Sequence, residues 1–187
     1  MNRTIAARHV VLGALLGLCL SWTDANASVL LSGNPNATYS ASSSWSWQTP
    51  DMAFDGNPAT PWNAGHGPPA WLQVDLGSAY ALTKFDFVVN QLPVVGYTTH
   101  DLFVDGVLVH TFSGTTFNTQ MLEWIPSSPI PGETVRIETT FSPSWVAWYE
   151  AEVFGEVVPE ATSLLVWALL GALGLGLGWW RRRKPAA

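Results

Sequence analysis

The sequence predicts an all-β protein built on one antiparallel β-sandwich or jelly roll. Three observations carry this. Seven short segments between residues 71 and 154 show the two-residue alternation of strands. No segment between residues 28 and 157 sustains a helical period. Clusters drawn from 13 Pro and 16 Gly separate the segments, as turns require. A chain of 187 residues allows one domain of ordinary size. With 48% hydrophobic residues it has the apolar content to fold.

The chain opens on a segment unlike the rest. Residues 1–27 carry Arg3 and Arg8, then an apolar run from Val10 to Leu20, then Ala25-Asn26-Ala27. A basic start, a short apolar core and a small-x-small end read as a secretory signal peptide, with cleavage expected after Ala27. The alternative is a retained anchor, but the run of about 11 residues falls short of the roughly 20 that a bilayer needs. Cys19, the only cysteine, lies in this run and follows Leu18, which is not the small residue a lipoprotein signal requires. The mature chain is therefore expected to hold no thiol and no disulfide.

Residues 28–157 form the domain. Trp71–Leu76 and Leu82–Val89 alternate and are expected as two strands. Asp101–Val104 and Val107–His110 flank Asp105-Gly106, a strong hairpin signal. Met121–Ile125, Thr134–Glu138 and Trp148–Phe154 complete the set. This stretch holds two bases, Lys84 and Arg136, against twelve acids, a net charge of −10 with histidines neutral. Such a surface excludes a nucleic-acid binder, which needs clustered Lys and Arg. It suits neutral ligands or cations.

Residues 163–180 form an uncharged apolar stretch of 18. At 1.5 Å per residue it makes about 27 Å of helix, close to one hydrocarbon core. Trp179 and Trp180 suit the interface, and Arg181, Arg182, Arg183 and Lys184 follow. Positive charge stays cytoplasmic, so the domain is expected outside.

Two sets of motifs resemble known families. Ser42-Ser43-Ser44 precedes Ala53-Phe54-Asp55-Gly56-Asn57-Pro58-Ala59-Thr60-Pro61-Trp62-Asn63. Trp71-Leu72-Gln73-Val74-Asp75-Leu76-Gly77 follows, and Glu150-Ala151-Glu152-Val153-Phe154-Gly155 closes the domain. This order resembles the discoidin domain, also called the coagulation-factor C-type domain, of the galactose-binding-like proteins. The resemblance covers nearly all of residues 28–157 and implies an antiparallel jelly-roll β-sandwich. Val158-Pro159-Glu160, the apolar stretch and the basic tail together resemble the PEP-CTERM sorting signal, over residues 158–187. Val158 and Ala161 stand where that family usually has the flanking prolines. The resemblance implies processing by an exosortase-type membrane protease and delivery to the surface or matrix of a Gram-negative bacterium.

Asp55-Gly56-Asn57 with Thr60 is an oxygen-rich turn, and calcium takes six to eight oxygens at about 2.3–2.6 Å. The discoidin resemblance implies a structural calcium ion held by this loop and a Glu of the last strand. The matching positions are Asp55, Asn57, Thr60 and Glu150. Glu152 shares the strand face of Glu150 and is the open alternative. Without metal the same residues read as an Asx-turn.

Loop tryptophans suggest a second site. Trp45, Trp47 and Trp145 sit among Ser44, Gln48 and Ser144. Flat rings stack on the C–H face of a sugar while polar neighbours read its hydroxyls. Trp45, Trp47, Gln48 and Trp145 are therefore candidate glycan contacts, with a structural role for the rings weighed evenly. Trp62, Trp71 and Trp124 fall within motifs or strands and are expected to pack. No catalytic residue is expected: the histidines lack metal-ligand spacing, and neither a Gly-x-Ser-x-Gly elbow nor a cysteine nucleophile is present. The expected function is a non-catalytic exported module that binds extracellular polysaccharide. The alternatives are a structural matrix protein without a ligand and, least supported, a small carbohydrate-active enzyme.

Overall fold

In the computed structural model the described residues are 28–157, together with Leu170. The expected signal peptide, the Val158-Pro159-Glu160 motif and, apart from Leu170, the expected span at 163–180 lie outside them. Among the described residues no helix is long and apolar enough to cross a membrane.

Nine strands make the domain: β1 (Val29–Leu30), β2 (Thr38–Ala41), β3 (Trp62–Asn63), β4 (Ala70–Asn90), β5 (Val95–Val104), β6 (Val107–Phe117), β7 (Met121–Trp124), β8 (Ile130–Phe141) and β9 (Ala147–Val157). One short 3-10 helix, Pro50–Phe54, precedes the Asp55 loop. Every pairing is antiparallel. The two strands expected at 71–76 and 82–89 are one ribbon of 21 residues, β4. Its register breaks between Asp75 and Tyr80. The first half pairs with β2 and β8, the second with β9 and β7. This one strand so ties both groups of neighbours into a single nine-stranded sheet, and one cluster of buried side chains forms its core.

Alternation explains which side chains enter that cluster. Leu72, Val74 and Leu76 point inward from the first half of β4, and Phe85, Phe87 and Val89 from the second. Val135, Ile137, Ala151 and Val153 oppose them from β8 and β9. Trp62 is fully buried, and Trp124 packs on Phe85 at 5.4 Å between ring centroids. Trp71 lies half-buried beneath Arg136. Trp148, in a tryptophan-rich segment, is core as well.

The hairpin forms where Asp105-Gly106 placed it. Both residues have positive φ, 48° and 77°, as a tight turn between twisted strands requires. Asp105 Oδ1 accepts the amides of Glu133 (3.0 Å) and Thr134 (2.8 Å), which ties the turn to β8. Strands β1, β2 and β3 were not expected. They are two to four residues long, too short for any period to register.

Candidate functional site

Three segments distant in sequence are laced into one rim. Trp45 N donates to Asn63 O (2.8 Å), Ala64 N to Val146 O (2.9 Å) and Val146 N to His66 O (2.9 Å). Ser43 Oγ donates to Ala64 O at 2.8 Å, and Trp62 Nε1 donates to Ser43 O at 3.0 Å. The lacing sets the Trp45 and Trp145 rings edge to face, 5.9 Å apart at 69°. Both are about half exposed, at 50% and 49%. Exposed rings anchored this firmly present apolar area with little ordering left to lose on binding.

Trp145 forms one wall of a groove of about 640 Å³, within the usual range for small-ligand sites. Asn63, Asn90, Leu92, Ser142, Pro143 and Ser144 line the rest of it. Ser144 Oγ accepts the amide of Leu92 at 3.0 Å, which joins two walls. Two carboxamides and two hydroxyls face the groove, and no ionisable side chain does.

The layer beneath is also uncharged. A void of about 10 Å³ shares Asn90, Ser142, Trp145 and Ala147 with the groove and reaches Gln91, Thr98, His100 and Thr139. His100 is buried, with Nδ1 2.9 Å from Thr139 Oγ1 and its ring edge-on to Trp148 at 4.8 Å. Burial drives its pKa down to about 4, so the ring is neutral at physiological pH. His100 Nε2 and Trp148 Nε1 have no hydrogen-bond partner. Gln91 Oε1 accepts from Thr116 Oγ1 at 2.7 Å.

Of the four residues expected to contact a ligand, the structure brings two together. Trp47 is exposed but forms no aromatic pair among the described residues. Gln48 is only 8% exposed, with Oε1 unbonded, and so is withdrawn from the surface. Of its polar neighbours, Ser144 lines the groove, while Ser44 Oγ lies 3.3 Å from Trp62 Nε1. Sequence reasoning missed Asn63, Asn90, Leu92 and Pro143. Asn63 stood inside the motif next to Trp62; the others carried no local signal.

The Asp55 loop is a second, separate cluster. Asp55 Oδ1 accepts the Asn57 amide at 2.7 Å. The Thr60 hydroxyl lies 2.7 Å from Asp55 Oδ2 and 2.8 Å from Asn57 O. Asn57 Oδ1 accepts the Ala59 amide at 3.1 Å. These are the bonds of an Asx-turn. Glu150, not Glu152, reaches this loop. It is buried on β9, and neither carboxylate oxygen has a well-formed hydrogen bond. Burial first, then the Asp55 carboxylate and Glu152, push its pKa up to about 7, although the Gly56 and Asn57 amides pull the other way. Glu152 lies across from Asp86 in the ladder and is half-buried. A buried carboxyl without partners requires a proton or a cation. The donors are all oxygens, as calcium prefers. Among the described residues no three acidic, His or Cys side chains converge on one point, so carbonyls and water would have to complete the shell.

Residues 36–151 match the family model of the F5/8 type C domain. Solved structures share the fold. The family 32 carbohydrate-binding module of Clostridium perfringens NanJ, solved in complex with galactose, superposes with a TM-score of 0.59 at 21% identity, over 68% of this chain and 98% of that one. A mutant lectin-binding domain of lectinolysin, complexed with Lewis b, gives 0.54 at 20% identity, over 68% and 96%. Chitosan-binding module 1 from the chitosanase/glucanase of Paenibacillus sp. IK-5 gives 0.51 at 24% identity, over 64% and 95%. No curated sequence matches the chain.

Proposed function

Because the chain belongs to the F5/8 type C domain family, we propose that it is a non-catalytic glycan-binding protein displayed outside the cell. One observation carries the reading: an uncharged groove of about 640 Å³ opens beside the half-exposed Trp45–Trp145 pair. A sugar offers hydroxyls to Asn63, Asn90, Ser142 and Ser144 and a C–H face to a ring. The net charge of −10 over residues 28–157 disfavours a bare anionic polymer, and the uncharged groove favours a neutral glycan, or an anionic one bridged by calcium. That similar domains were solved with galactose and Lewis b supports the class of ligand. A glycan array probed with the purified protein tests it. Retention of neutral glycans, lost on Trp145→Ala, is the expected result; an array without hits leaves a structural matrix role.

A calcium ion belongs to the same proposal. Asp55, Glu150 and the Asn57 and Thr60 oxygens would hold it, and it would supply the charge that the paired carboxylates lack. Its role is structural, fastening the loop to β9. The ends of the chain complete the reading. Residues 1–27 direct export. Val158-Pro159-Glu160, the 163–180 stretch and the basic tail present the protein to an exosortase-type protease, which frees it to the cell surface or matrix. Mass spectrometry of the mature protein checks this, with a start at Ser28 and loss of the C-terminal stretch expected. An intact tail in a strain that possesses the protease reduces it to a membrane anchor.

A further inference from the structure

We propose that the glycan site does not end at the groove but continues over Pro143 onto an aromatic platform made by Tyr97 and Phe141, so that the ligand is a chain of sugars and not one ring. The inference rests on the reading of the groove as a glycan site and gives that ligand its length.

Tyr97 and Phe141 meet edge to face at 6.1 Å and 68°, nearly the geometry of the Trp45–Trp145 pair. Both are more than half exposed, at 53% and 56%, on the outward side of the sheet. Tyr97 is held in place: its hydroxyl lies 2.8 Å from Ser113 Oγ, which is itself 3.4 Å from Thr99 Oγ1. A fixed ring with a row of hydroxyls beside it repeats the chemistry of the first subsite.

The two platforms are joined. Phe141, Ser142, Pro143, Ser144 and Trp145 are consecutive, and the middle three line the groove. At about 3.3 Å per residue this stretch spans at most about 13 Å, longer than a single sugar ring covers. Pro143 sits on Gly96, the residue before Tyr97. A Cβ at Gly96 would run into the Pro143 ring, so only glycine lets the loop settle here. Leu92, 77% exposed, forms the remaining apolar rim. None of these side chains is an Asp, Glu, Lys, Arg or His, which matches the groove and a neutral polymer.

The test compares galactose with a β-1,4-linked galactotetraose, using the full-length protein in detergent micelles. Titration calorimetry is run on the unaltered chain, on Tyr97→Ala/Phe141→Ala and on Trp145→Ala. Both platform rings are exposed, so the double variant should melt where the unaltered protein does. The expected result is a five- to tenfold weaker affinity of the double variant for the tetrasaccharide with galactose affinity unchanged, while Trp145→Ala weakens both. Equal affinities for the tetrasaccharide, or equal losses for the two sugars, overturn the second subsite and leave the first intact. A dimer that the double variant converts to a monomer, seen by light scattering, assigns the rings to self-contact and overturns it too. No binding of either sugar by the unaltered chain overturns the subsite together with the galactose-type reading beneath it.

Discussion

The Asp55 loop and the tryptophan groove each lie over a buried polar side chain, Glu150 under the one and His100 under the other, and they surround it differently. In the loop the charge is high and the bonding local. Asp55, Asn57, Ala59 and Thr60 bond among themselves, and only Glu150 comes from far along the chain. In the groove nothing is charged, and almost every bond is long-range, joining residues 43–45 to 63–64 and 64–66 to 146. Two acids pressed together call for a cation; an uncharged, hydroxyl- and amide-lined wall calls for another uncharged polar surface. On the proposed reading, the contrast separates a feature that stabilises the domain from one that meets a partner.

Trp62 belongs to both regions. It follows the loop, starts the rim and is fully buried, pairing with Trp148 across β3 and β9. Trp62→Ala is expected to cost about 3–5 kcal/mol and to abolish calcium response and glycan retention together. Urea denaturation and the array measure both.

Titration divides the two regions. Glu150 has its folded pKa raised from 4.5 to about 7, so the native state binds the extra proton. Its contribution is present below pH 4.5 and is lost as pH rises through 7. His100 is the opposite case, lowered from 6.5 to about 4. Its contribution is present above pH 6.5 and is lost as pH falls through 4. In metal-free protein the two slopes oppose each other over nearly the same window. Calcium, by binding the ionised form of Glu150, should remove one slope and expose the other. At a hundredfold excess over Kd it should add about 2.7 kcal/mol. Glu150→Gln should erase the calcium response and raise metal-free stability above pH 7 by on the order of 2 kcal/mol. Melting scans between pH 4 and 8, with calcium and with chelator, read both effects.

His100→Phe tests the groove side alone. The acid-side loss between pH 6.5 and 4 should shrink to the part left by His110, which burial also pulls below its ordinary value, while the response to calcium stays as it was. A variant that lost as much stability across that window as the unaltered protein would move the acid sensitivity elsewhere. The smallest expected effect on the fold comes from Trp145→Ala. It should weaken glycan binding five- to tenfold, about 1–1.4 kcal/mol, and leave the melting temperature nearly unchanged.

Much of this was legible in the residues. Asp105-Gly106 named its hairpin because a two-residue turn with positive φ is a local demand. Asp55, Asn57 and Thr60 named their turn for the same reason, since their bonds span two to five residues. Alternation marked Leu72, Val74, Phe85 and Phe87 as inward before any neighbour was known.

Tertiary structure decided the rest. Trp45 and Trp145 are a hundred positions apart, and only the closing of the sheet sets them 5.9 Å from each other. Trp148, in the same sequence neighbourhood as Trp145, went to the core because a register shift between Val88 and Val89 turns it inward. Glu150 was separated from Glu152 by which of them the Asp55 loop covers, although both share one strand face. Leu92, Pro143 and Asn90 acquired a role only by lining the same groove. Period and composition encode what a residue does with its near neighbours. Which distant segments become neighbours depends on strand pairing across the whole domain, and that is where the proposed binding surface is made.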